Sequence, residues 1–451
     1  MTDQFFRYLP DTEEDIKDML ETIGVETIDG LFADIPQDIR LTEELAIPQP
    51  LSEGELLRHM QKLAAKNTSS NEMPIFLGAG SYDHMIPSVV DAVISRSEFY
   101  TAYTPYQAEA SQGELQAIFE FQTMMSELTG MAVTNSSLYD GFASLGEAVG
   151  LAQAATKKKR ILISQAVHPQ AREVIETASP GRGTDMITIP LLKDKTDLEA
   201  LKKELDDETA AVVIQYPNFF GTIEDLAAVK DLLADSKARF IVLANPLALA
   251  LLEAPGHLGA DIVVGDTQPF GLSMSYGGPH CGYFSVNKAD VRRVPGRMVG
   301  ETVDSEGKRG FVLTLQSREQ HIRREKATSY MSSNQALNAL ASAVFMSSLG
   351  KQGIQDMAQL NVNKAGYLAD QLKEKGFSIM NDGPFFNEFV VELPFSADHA
   401  NAKLLEMGII GGYSLANDYK KPNHLLVCAT EKRTKAELDQ FVAILGGLRH
   451  E

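Results

Sequence analysis

Residues 260–280 read "ADIVVGDTQPFGLSMSYGGPH". An apolar run closes on Asp266, a polar turn follows, and the stretch ends near the pair Gly277-Gly278. A short apolar run bounded by turn residues predicts a strand covered on both faces, as in a parallel sheet packed between helices. The same unit recurs outward from it. "RILISQ" (160–165), "DMITIP" (185–190), "AAVVIQYP" (210–217), "ARFIVLA" (238–244) and "CGYFSV" (281–286) are runs of the same kind. Helix-like segments such as "EDLAAVKDLLADS" (224–236) lie between several of them. Alternating β and α segments predict an α/β fold with a large, mostly parallel sheet, and ligands outside the carboxyl ends of its strands.

The flanks differ. Residues 1–72 predict a charged N-terminal helical arm. In it "TEEDIKDMLETIG" can be capped by Thr12 and closed by Gly24, and Ser52 and Glu55 stand in capping-box spacing. Residues 73–326 predict the large α/β domain, and 327–451 a smaller C-terminal α+β domain. That last part opens on the helical "SNQALNALASAVFMSSL", continues in the strand-like "NEFVVELP" and "HLLVCAT", and closes on "TKAELDQFVAILGGL".

Composition narrows the function. The chain has 451 residues and a formal charge of −20, so it will not hold a nucleic-acid backbone by bulk electrostatics. No apolar run reaches the roughly 18–20 residues of a membrane span, and the acidic start lacks a secretion pattern. The only two cysteines, Cys281 and Cys428, match neither zinc spacing nor a disulfide framework, so a reducing cytoplasm is expected and no metal site. The run Lys157-Lys158-Lys159-Arg160 reads as a helix C-terminus whose cations offset the dipole.

Further stretches carry candidate chemistry. "YTPYQAEASQGE" (103–114) gathers Tyr103, Thr104, Tyr106, Gln107, Glu109, Ser111 and Gln112 ahead of a helix, with Ser111 and Glu114 in capping-box spacing. It is either a surface loop or a wall of mostly neutral hydrogen-bonding groups. Asn135, Ser136 and Ser137 precede a small-residue helix and read as a plain cap or as a phosphate cradle. "QYPNFFGTIED" (215–225) ends a strand and turns, either as a connection or as part of a site. The basic run 307–329 is either a solvated face or an anion or partner contact through Arg318, Arg323 or Arg324. No phosphate-binding glycine loop of the nucleotidase kind, zinc helix or serine elbow is present.

Taken together, "YTPYQAEASQGELQ", "QYPNFFG", "GGPHCGYF" and "KRGFVLTLQSREQHIRREKATS" resemble the P-proteins of the glycine cleavage system, and more closely the first of the two chains into which some of them are split. The resemblance runs nearly end to end. It implies an α/β architecture of the fold-type-I pyridoxal-phosphate transferase kind. It also implies decarboxylation of glycine on pyridoxal phosphate, with passage of the aminomethyl group to the lipoyl arm of an H-protein. One departure stands out: Tyr330-Met331-Ser332-Ser333 replaces the family's usual residues after "REKATS".

That chemistry needs a lysine to hold the cofactor aldehyde and an acid to hold its ring nitrogen protonated. The resemblance puts Gln268 at about the lysine position, and the chain has no lysine between Lys237 and Lys288. "RFIVLANPLAL", where the acid is expected, contains neither Asp nor Glu. The resemblance therefore implies a subunit with no catalytic residue of its own. Its lysine-bearing partner, subunit 2 of an expected heterotetramer, would hold the cofactor, and the Tyr103–Gln112 loop would complete the partner's site. Two other readings stand beside this: an independent enzyme using another lysine such as Lys326, and a structural or regulatory pseudoenzyme that stabilises the partner.

Overall fold

The computed structural model describes residues 10–41, 43, 45–316, 319–327, 329 and 335–449. The chain divides into two compact units, Met1–Asn67 and Thr68–Glu451.

In the first unit, the helix Glu13–Ile23 is capped by Thr12 in a full capping box with Asp15 and ends on Gly24 in the left-handed conformation. The helix Glu53–Ala64 has the expected Ser52–Glu55 box. Neither helix buries a residue. Ile23, Leu31, Phe32, Ile39, Leu56 and Met60 are all exposed.

The second unit is built on a seven-stranded sheet. Its strands are β1 (Val133–Thr134), β2 (Arg160–Ser164), β3 (Asp185–Ile189), β4 (Thr209–Tyr216), β5 (Arg239–Ala244), β6 (Ile262–Asp266) and β7 (Gly282–Val286). All six apolar runs of the sequence are in it, in the spatial order β1-β7-β6-β5-β4-β2-β3. Strands β2 to β6 pair in parallel, whereas β7 is antiparallel to β6 and to β1. Along β5, Phe240 and Val242 enter one core while Ile241 and Leu243 enter the other. This period-2 alternation with both faces covered is why the strands read as continuous apolar runs.

The helix Ala336–Glu374 runs from the larger core to the smaller sheet and is broken at Gly350, whose φ of 62° is left-handed. Ala339 and Phe345 pack in the larger core, while Leu368 and Leu372 pack under the four-stranded antiparallel sheet of residues 378–428. Ile75 bridges to Ile410, and Phe76 fills that smaller core.

A hairpin of Val299–Val303 and Arg309–Leu313 leans on the helix Gln112–Thr129. Gln122 exchanges two hydrogen bonds with the Val299 backbone, and Gln112 exchanges two with that of Phe311. Both glutamines clasp the hairpin as an added strand would. Removing the buried amide with Gln122→Ala leaves a buried N–H and C=O unpaired and is expected to cost about 2 kcal/mol in urea unfolding. A loss indistinguishable from zero would remove the clasp from the account.

Candidate active-site cleft

A cleft of about 650 Å³ opens at the carboxyl end of β6. Three segments converge on it. The helix Gly141–Thr156 points its N-terminus there. Glycines on the helix and on β7 allow a close approach: a Cβ on Gly282 would lie 2.2 Å from the Asp140 carbonyl oxygen, and one on Gly141 would lie 2.9 Å from the Gly265 backbone. The glycine-rich loop 275–280 forms a second wall, because β7 runs antiparallel and the loop must return to the edge where β6 ended. Ala79, Gly80 and Ser81 form a third.

Asp266, the last residue of β6, is the hub. Its Oδ2 accepts the Gly141 N–H at 3.0 Å and lies 3.2 Å from His280 Nδ1, while Oδ1 accepts the Gln268 N–H at 2.8 Å. The Asp266 carboxylate raises the pKa of His280. Asp140 caps the same helix, accepting the Ala143 N–H at 2.6 Å; burial, reinforced by Asp266, raises its pKa. Two carboxylates thus occupy the positive end of the helix. Behind the wall, the His168 ring lies between Phe142 and Phe219, with centroids 4.5 and 4.8 Å away. His168 Nδ1 accepts the Gln170 N–H and Nε2 lies 3.0 Å from the Ala79 carbonyl, an arrangement that suits the neutral ring. Burial pushes its pKa down to about 4.

Gln268 does not face the cleft. It is fully buried: Nε2 donates to the carbonyls of Tyr82 (2.8 Å) and Leu272 (2.9 Å), and Oε1 accepts the Tyr82 N–H. Among the described residues, no lysine lines the cleft. At the end of β5, Asn245 uses its side-chain oxygen to accept the Leu247 N–H. Lys326 is exposed in a short turn and does not line the cleft.

The other sequence-derived candidates scatter. The segment 135–137 is not a helix N-terminus; the helix begins at Gly141 and its cap is Asp140. Asn135 is spent on the backbone, donating to the carbonyls of Ser137 and Pro295 and accepting the Phe284 N–H. Ser136 is buried, its N–H donated to Arg297, and Ser137 Oγ accepts the Gln335 N–H. Ser111 forms no capping box, because the turn Ala108–Ala110 leaves it at φ −122°, ψ 24°, without a side-chain cap bond.

Within the loop, Thr104 is buried and Ser111 and Gln112 are half-buried. Tyr103, Tyr106, Gln107 and Glu109 are exposed. None of residues 103–112 lines the cleft. Instead Tyr106 anchors a second polar cluster. Arg297 Nη2 donates to its hydroxyl at 3.0 Å, the guanidinium carbon lies 5.5 Å from its ring centroid, and the His321 ring meets it edge-on at 6.4 Å. Glu319 lies 3.9 Å from Arg297 Nε and 3.7 Å from His321 Nδ1. Arg297 and His321 escaped the sequence reading, since nothing local ties them to a tyrosine about two hundred residues earlier. Arg323 and Arg324 are exposed. Arg318 and the segment Tyr330–Ser333 lie outside the described residues.

Against known proteins, a profile of the glycine cleavage system P-protein matches residues 6–445. The chain is 57% identical over 444 residues to the probable glycine dehydrogenase (decarboxylating) subunit 1 of Bacillus cytotoxicus, covering 98% of this chain and 99% of that one. It is also 57% identical over 441 residues to the protein of the same name from Geobacillus sp. WCH70, covering 98% of each. A solved glycine decarboxylase (P-protein) of the glycine cleavage system, in inhibitor-bound form, superposes with a TM-score of 0.90 at 42% identity over 98% of this chain and all of that one. A sphingosine-1-phosphate lyase of Burkholderia pseudomallei, at 16% identity and a TM-score of 0.66 over 91% of this chain and 94% of its own, shares the fold alone. Among the described residues, no helix is long and apolar enough to cross a membrane.

Proposed function

The chain belongs to the glycine cleavage system P-protein family, and we propose that it is the lysine-free subunit of a two-chain glycine dehydrogenase (decarboxylating). A second, lysine-bearing subunit carries the pyridoxal phosphate covalently. Together they decarboxylate glycine and pass the aminomethyl group to the lipoylated H-protein.

One observation carries the division of labour: the cleft at the expected cofactor position does not fit the cofactor. It offers no lysine, and Gln268 is turned away into backbone hydrogen bonds. The amides that would cradle a phosphate already take Asp266 and Asp140, whose carboxylates would repel it. Bound pyridoxal phosphate withdraws electrons from the substrate carbon, and no step of that chemistry is assigned to this cleft.

This chain contributes the surface around Tyr106. The Arg297 guanidinium, held by the Tyr106 hydroxyl and close to Glu319, is a fork suited to a carboxylate, while the exposed tyrosines cover the partner's site from water. The exposed apolar residues of the arm, Ile23 to Met60, supply adhesive surface for the partner subunit.

Borohydride reduction of the reconstituted heteromer, followed by mass measurement of each chain, is expected to label the partner alone. An adduct on this chain would overturn the assignment. In the same heteromer, Tyr106→Ala is expected to lower glycine turnover about tenfold, equivalent to about 1.4 kcal/mol of barrier. Unchanged turnover would make the loop a scaffold and favour the pseudoenzyme reading.

A further inference from the structure

At the amino ends of the parallel strands, on the edge opposite the cleft, lies a groove of about 360 Å³. That falls within the range of small-molecule sites, about 300–1,000 Å³. Lys158, just before β2, lines it with Lys230, Lys237 and Arg239; Thr156 and Ser236 add hydroxyls. Asp261 is its one carboxylate, and that group is engaged by the Phe240 N–H, with Arg239 Nη1 3.6 Å away. The five-residue strand β6 separates Asp261 here from Asp266 in the cleft, roughly 16 Å of extended chain.

We propose that this groove binds a small phosphate-bearing anion. The chain has 61 acidic residues against 41 basic ones, and lysines 193, 308, 373, 403, 432 and 435 all lie in ion pairs with carboxylates. Lys158, Lys230 and Lys237 have no carboxylate partner among the described residues, although Lys158 and Lys230 are half-buried. Three lysines and an arginine drawn to one groove, beside a carboxylate that is already engaged, concentrate positive charge that an anion from outside would offset.

A helix C-terminus accounts for Lys157, which caps the helix Gly141–Thr156 in the left-handed conformation. Lys230 likewise stands in the last turn of its own helix, Leu226–Leu232, but no helix end accounts for Lys237 or for the convergence of all three lysines and Arg239 on one groove. The stem of Lys230 lies over Gly259, where a Cβ would come within 2.8 Å of it. Arg239 Nη2 is fixed on the buried Asp290 at 3.0 Å, while its buried Nε has no acceptor among the described residues. Ser236 Oγ accepts the Ala238 N–H and keeps its own proton to donate. Several ammonium groups beside an arginine and a hydroxyl match the spread charge of a phosphate or diphosphate better than a single carboxylate.

The test is isothermal titration of the reconstituted heteromer with inorganic pyrophosphate, inorganic phosphate and citrate. Pyrophosphate is expected to saturate one site per copy of this chain, more tightly than citrate. Lys158→Gln, Lys230→Gln and Lys237→Gln should each weaken it about fivefold to tenfold. Lysine-to-arginine versions should retain binding, and glycine turnover without added anion should not change in any of them. Absence of saturable binding would overturn the proposal. So would tighter binding of citrate, or a loss no greater than that caused by Lys351→Gln at an exposed control position.

Discussion

Replacing Gln268 by lysine is expected to destabilise this chain and still give no cofactor adduct. Gln268 is fully buried, and its amide both donates to and accepts from the Tyr82 backbone while also donating to Leu272. Lysine has three donors and no acceptor, so the Tyr82 N–H loses its partner and an ammonium is enclosed without a counter-charge. The expected loss is about 3–5 kcal/mol. Urea unfolding of the isolated variant measures it, and borohydride reduction with pyridoxal phosphate looks for the adduct. A variant as stable as the parent that also takes up one cofactor would show that a single substitution separates this subunit from an enzyme.

Glu388→Gln is expected to act in the opposite direction, and only on one side of neutrality. Glu388 opens one of the two inner strands of the smaller sheet, accepting the Ala79 N–H at 2.7 Å and the Tyr82 hydroxyl at 2.9 Å. Burial pushes its carboxyl from an ordinary 4.5 up to about 7, although both hydrogen bonds pull it down. The unfolded carboxyl releases its proton near 4.5 while the folded one keeps it to about 7. Across that window the folded state binds more protons, so stability falls as pH rises, by a total of about 3 kcal/mol. Glutamine keeps both contacts, its oxygen accepting from Ala79 and its amide donating to the tyrosine oxygen. The variant should therefore gain up to about 3 kcal/mol above neutrality and almost nothing at the acid end. Denaturant midpoints of parent and variant on either side of the window measure this. Equal gains at both ends would mean that packing, not ionisation, sets the difference.

The two predictions meet at one short segment. Gly80, Ser81 and Tyr82 run between the cleft, the Gln268 amide and the Glu388 carboxyl. Nothing local in the sequence shows this, because the three contacts join positions far apart in the chain.

What was legible follows the same rule. Five of the six long strands stand out because both their faces are buried, which turns burial into an unbroken apolar run; the edge strand β3 is only partly covered. The hairpin 299–313 stays hidden because "VGETV" is exposed over most of its length and its strands rest on one helix. Capping boxes were readable at Ser52 but not at Ser111, where the preceding turn decides the cap's backbone angles. The glycine-rich loop was readable as a turn beside a strand end, and it lines the cleft. That Asp266 joins Asp140 at the helix end was not readable, since its bond to the Gly141 N–H spans 125 positions. Gln112 looked like a site residue because its clasp on Phe311 reaches across 199 positions.

The closed helix end has a bearing on supply and assembly. A fold that fills its own phosphate position needs no vitamin to reach its final shape. Under the proposed division of labour, folding of this chain is uncoupled from cofactor availability, and shortage falls on the other subunit. Under the same division, loading of the partner chain alone sets the activity of the pair.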